Sequence, residues 1–109
     1  MIIYTRLLLW SDGMAVHPRL ILIRPSRRGD AVLLAHEQMH CEQMRRVGVL
    51  RFWWRYLAVP AFRQAAEAEA YRVSYSHAPE RAAKFATALS TRYCLRLSFD
   101  DAMALIVPR

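Results

Sequence analysis

The chain lacks most of what would set it apart from an ordinary globular domain. No apolar run approaches the ~18 residues needed to cross a bilayer, so no transmembrane helix is expected. Two cysteines, Cys41 and Cys94, are too few for a disulfide framework, and each reads as a core or surface thiol. There is no internal repeat and no low-complexity segment. Met1 to Trp10 carries Arg6 in its middle and has no small-residue cleavage site, which does not fit a secretory signal. The expected location is therefore the cytoplasm. Lysine is almost missing: of sixteen basic residues, all but Lys84 are arginine. Acids number nine, which leaves a net charge of +7.

Such a balance admits binding to nucleic acid or to an anionic surface. The arginines are scattered, however, and the densest group, Arg24 to Arg28, lies in a loop with Pro25 and Gly29. A solvated basic surface is the preferred reading over a nucleic-acid site. The 55% hydrophobic content excludes general disorder. At 109 residues the chain has room for one domain, 1–109, with a modest core.

What is present is His36-Glu37-Gln38-Met39-His40, an H-E-x-x-H motif. It lies in a stretch, Asp30 to Arg46, that reads as helix: no Pro or Gly occurs from Ala31 to Val47. On a helix, residues four apart sit one turn above each other, so His36 and His40 can share one tetrahedral zinc ion. Glu37, one step round, would face the open side of the metal and take a proton from the attacking water. Asp30 is placed to cap the helix, Arg45 and Arg46 suit its C-terminal dipole, and Gly48 suits its end. The plain alternative is a surface helix that happens to carry these residues. Cys41 is about 100° from His40 around the helix and is not expected to share the metal.

Upstream, Ile2 to Trp10 and the Arg19 to Arg24 part of Val16 to Arg24 read as strands, with Ser11-Asp12-Gly13 as the turn of an antiparallel pair. Downstream, Val49 to Val59 is aromatic, and Trp53, Trp54 and Tyr56 read first as core packing. Ala61 to Ser76 is a strong helix signal. Pro79 separates it from a helix over Glu80 to Arg92. Leu95 to Leu97 is a connection or short strand, and Ser98 caps a last helix through Ile106.

Two histidines need a third protein ligand. His17 and His77 do not have the spacing for it, and the better candidates are Glu67 and Glu69 on the Ala-rich helix. Periodicity favours Glu69, which shares a stripe with Phe62, Ala66 and Val73.

The H-E-x-x-H motif, Gln43 shortly after it, the connection RFWWRYLAVPAF and the EAEAY run from Glu67 together resemble the gluzincins. These are zinc metallopeptidases with two His and one Glu as ligands. The likeness is to their compact single-domain forms found in bacterial and prophage genomes, and it covers about Arg19 to Tyr75. It implies an α+β, zincin-like core: an N-terminal antiparallel strand pair, then about four helices, the first carrying H-E-x-x-H. It implies Zn2+ as cofactor and a peptide or protein as substrate. Family members often place Ala three residues, and a polar residue four residues, after the ligand Glu. Glu67, Ala70 and Tyr71 fit that register, although Asp or Asn is commoner where Tyr71 stands. The resemblance therefore selects Glu67 as ligand and Glu37 as general base. It also implies a substrate strand along a sheet edge, which Arg19 to Arg24 would supply. For a second electrophile, Tyr71, Tyr75, His77 and Arg72 are nearest in sequence, and none is assigned. The rival readings are a catalytically silent zinc-binding interaction module and a basic partner-binding domain in which the motif is incidental.

Overall fold

A computed structural model describes residues 1–8 and 11–108. Leu9 and Trp10, the end of the expected first strand, and Arg109 lie outside the described residues. The fold is α+β. Strands β1 (Ile2–Tyr4), β2 (Gly13–His17) and β3 (Leu20–Ile23) precede helices α1 (Ala31–Val47), α2 (Val49–Ala58), α3 (Pro60–His77), α4 (Ala82–Thr91) and α5 (Phe99–Ile106). Single 3-10 turns at Pro25–Arg27 and Pro79–Arg81 lead into α1 and α4.

The sheet corrects the expected strand pair. Its order is β1-β3-β2, with β2 antiparallel and β1 parallel to β3. Gly13 begins a strand instead of ending a turn. The reversal falls at Pro18-Arg19, where His17 pairs with Leu20 and the Arg19 amide donates to His17 Nδ1 at 3.1 Å. Proline's fixed φ suits this tight turn. The first strand then takes the other side of β3, and the Ile21 amide donates to the Met1 carbonyl. Because β3 is central, Arg19 to Arg24 offers no free edge to a substrate.

The helices follow the local signals closely. Asp30 accepts from the Leu33 amide at 3.0 Å, and Arg27 clamps the same carboxylate. Burial works against the charge on Asp30, but the Leu33 amide and Arg27 hold its pKa below the usual value. Gly48 stops α1 with φ of +96°, a conformation costly for a residue with a Cβ, and donates to the Met44 carbonyl at 2.7 Å. Its carbonyl accepts from Phe52, so α2 starts without a linker. Pro60 opens α3, where a missing amide hydrogen costs nothing.

Two apolar clusters make the core. One joins the sheet, α1 and α2 through Ala15, Ile21, Ile23, Met44 and Phe52, with Ala66 from α3. The other joins α3, α4 and α5 through Ala68, Tyr71, Phe85, Leu89 and Ile106. Ala66, Ala68 and Ala70 are all buried, so α3 meets its neighbours with methyl groups and packs closely along α1. That close approach is what brings an α3 carboxylate to the motif histidines. Among the described residues, no helix is long and apolar enough to cross a membrane.

Candidate metal centre

His36 and His40 project from successive turns of α1 and both meet Glu67 from α3. Each Nε2 lies 3.2 Å from the same oxygen, Glu67 Oε1. All three residues are buried, and their ligand atoms lie within 4.8 Å of one another. They are close enough to hold one metal ion.

The surrounding hydrogen bonds decide what this cluster wants. Gln43 donates from Nε2 to the Ala66 carbonyl and to Glu69 Oε1, both at 2.9 Å. Its Oε1 is then the acceptor for His40 Nδ1–H at 2.8 Å. Ser74 donates to the Ala70 carbonyl, so its Oγ accepts from His36 Nδ1–H at 3.2 Å. Both neutral imidazoles thus keep their proton on Nδ1 and turn the Nε2 lone pair toward a carboxylate oxygen. Three acceptors converge on one point, an arrangement that repels unless positive charge sits among them. In the chain alone a proton supplies it. Burial opposes charge on His40, yet the Glu67 carboxylate, with help from Glu37 and Gln43, raises its pKa to about 9. Burial alone would raise Glu67, but His40 and the two imidazole contacts hold its pKa well below the carboxylate range. A divalent cation answers the same need, and two imidazoles with one carboxylate suit a first-row metal. No family model, curated protein or solved structure matches this chain.

Of the two candidate carboxylates, Glu67 is the one that meets the histidines. Glu69 faces outward beside the cluster, where it accepts from Gln43 and pairs with Arg46 at 3.0 Å. Periodicity misled here because the buried stripe of α3 is defined by alanines on more than one side. Tyr56, read from the sequence as packing, donates to Glu67 Oε2. Burial first, then the Glu67 charge, pushes its pKa far up, so the phenol remains a donor. Arg63 holds the Tyr56 and Tyr93 carbonyls, each at 2.8 Å. Ser74, Tyr93 and Arg63 carry no motif, and their roles were not visible in the sequence.

Glu37 is not among the three converging residues. It is 6% exposed and lines an open cleft of about 150 Å³ together with His36, Leu33, Tyr71 and Tyr93. Gly13 packs against it: a Cβ there would come within 3.3 Å of Glu37 Cγ and 3.4 Å of its Oε2. The missing side chain lets β2 lie close beside the carboxylate. Tyr71 stacks edge-on against His36, centroids 4.4 Å apart, and its hydroxyl meets that of Tyr93 at 2.8 Å. Burial raises both phenols, Tyr71 to about 12. Of the other residues considered as electrophiles, Tyr75 packs on the second cluster and Arg72 donates to the Leu105 carbonyl. His77 is exposed and bonded within its own helix end. Cys41 is buried with its Sγ 3.6 Å from the His17 carbonyl, and Cys94 is exposed; both are free thiols.

Proposed function

We propose that the chain is a zinc-dependent metallopeptidase of gluzincin type, with His36, His40 and Glu67 as ligands and Glu37 as general base. The observation that carries the reading is the crowding of three acceptors on one point, with a second carboxylate, Glu37, beside it in the cleft. When bound, zinc supplies Lewis acidity, bringing the pKa of water near ~7 and polarising the scissile carbonyl.

The chain's own groups do the rest. Gln43 and Ser74 fix the two imidazoles in the tautomer that offers Nε2. Tyr56 holds Glu67 by its other oxygen. Glu37, beside Gly13, accepts the proton of the attacking water and returns it to the leaving amine. The Tyr71–Tyr93 pair keeps a phenolic hydrogen at the cleft wall, available to the substrate oxygen that gains negative charge. With β3 central, β2 is the strand that reaches the cleft, through Gly13, and the extended substrate would run beside it.

One observation favours a silent, metal-holding interaction module instead. The cleft is small, and β2 covers part of Glu37. Glu37→Gln separates the two readings. Glu37 is not a ligand, so metal content by elemental analysis should stay near wild type. Peptide cleavage should fall by about 10²–10⁴, the usual worth of a general base. Equal cleavage by both proteins would refute the mechanism, and no cleavage by wild type across a broad peptide library would favour the silent module.

A further inference from the structure

The two walls of the cleft differ in charge. On one side are Asp12 and Asp30, both already matched: Asp12 lies 3.4 Å from Arg24 and 3.5 Å from Arg27, and Arg27 also clamps Asp30. On the other side α4 and the turn before it present Arg81, Lys84, Phe85, Ala88 and Arg92, a spacing that puts all five on one helical face. From Pro79 to Arg92 the only acid is Glu80, and it does not line the cleft. Lys84, the chain's single lysine, is exposed and makes no ion pair among the described residues. Arg81 is exposed and makes no ion pair among the described residues; it acts only at longer range on Asp30, which Arg27 already clamps. Beneath these cations the lining is apolar, from Val32, Leu33, Phe85 and Ala88.

We propose that this cleft takes a substrate carboxylate against α4, with Arg81 and Lys84 as its anchors and the apolar lining beneath them for the carbon stem. The ligand is a peptide bearing either an acidic side chain or a free C-terminal carboxylate. Its identity as a peptide rests on the peptidase reading, whereas the preference for a carboxylate rests on the cleft alone. A carboxylate arriving there replaces bulk counter-ions at a wall with two unpaired cations, set apart along the cleft from Glu37, the one lining acid without a cation partner. It also shares the cleft with His36 and Glu37, which would place the neighbouring peptide bond over the metal-holding residues. The wall sets specificity and does not touch the reacting atoms.

The test uses the full chain carrying Glu37→Gln, incubated with zinc, and fluorescence polarisation of labelled pentapeptides. Three probes share one sequence: an internal Glu with an amidated end, Gln with an amidated end, and Gln with a free C-terminal carboxylate. At low salt one or both carboxylate probes should bind about tenfold tighter than the neutral one, a gain expected of two partly exposed ion pairs. Which probe gains identifies the source of the carboxylate. Arg81→Glu with Lys84→Glu should abolish the preference, and so should Arg81→Gln with Lys84→Gln, which cannot repel the ligand. Arg6→Glu with Arg96→Glu makes the same change in net charge away from the cleft and should preserve it. Equal binding of all three probes overturns the proposal. So does an equal loss in the Arg6/Arg96 control, which would mean a diffuse field and no site. If the chain takes up no zinc, the peptidase reading fails, while the probe comparison still decides the carboxylate site.

Discussion

Gln43 tests most directly whether the cluster is built for a metal. It is 5% exposed and bridges three groups: His40 Nδ1–H, the Ala66 carbonyl and Glu69. Gln43→Leu keeps the volume and removes all three bonds. Glu69 retains Arg46, and Ala66 lies within a helix, so the main orphan is the His40 Nδ1–H. One buried donor left without a partner costs about 1–3 kcal/mol, offset in part by the apolar side chain that replaces the amide. The imidazole also loses the bond that sets its tautomer. Loss of such a supporting bond lowers metal affinity by about 10–100-fold, which is about 1.4–2.7 kcal/mol. With zinc in excess, the zinc-dependent part of the folding stability should shrink by that same amount. Competition with a chromophoric chelator measures the affinity, and urea unfolding with and without zinc measures the stability. Gln43→Glu keeps the acceptor for Nδ1–H and should bind zinc more tightly than the Leu variant. A folded Gln43→Leu protein with wild-type zinc affinity would refute the tautomer argument.

Glu67→Gln should lose zinc, whereas Glu69→Gln should keep it and lose less than about 1 kcal/mol, since its partner Arg46 is half exposed; elemental analysis of both proteins settles the point, and zinc retained by both would move the third ligand elsewhere. The His40 pKa in the folded chain, about 9 against an ordinary 6.5, means zinc must displace a proton there. Below about pH 9 the apparent zinc affinity should therefore rise about tenfold per pH unit, with proton release seen by calorimetry in two buffers. For the metal-free chain the sign is the reverse: the charged His40–Glu67 pair contributes fully between the two ordinary values, 4.5 and 6.5, and its contribution is lost as pH rises through about 9. Absence of proton release would contradict both statements. Leu89, fully buried among α3, α4 and α5, should cost about 2–5 kcal/mol as Leu89→Ala in urea unfolding without changing zinc affinity; a loss under about 1 kcal/mol would mean that this cluster is not a packed core.

The helical half of the chain could be read in advance because its signals are local. Asp30, Gly48, Pro60, Pro79 and Ser98 each act within a turn of their own position, and the helix limits fell within one or two residues of them. The two histidines were legible for the same reason, since four-residue spacing on a helix fixes their direction. The sheet was less legible. A parallel β1 depends on which side of β3 remains free after the Pro18 turn has used the other, and no run of residues encodes that. Glu67 and Glu69 are two positions apart on one helix, and local pattern could not choose between them. What chooses is the position of α1, set by alanines on α3 that let the helices close. Tyr56, Ser74 and Arg63 act by reaching across helices, so their chemistry appears only once the helices are placed.

The converging residues are near one another along the chain as well as in space. His36, His40 and Glu67 come from α1 and α3, with Tyr56 from the short helix between them, and the sheet contributes no ligand atom. The loops that close to bring them together span 31 and 27 residues, and closure entropy grows only slowly with loop length. All the ligand residues precede α4 and α5 in the chain, so the cluster can close before those two helices are in place. A chain emerging from synthesis could therefore hold a cation between α1 and α3 before α4 and α5 have joined the fold.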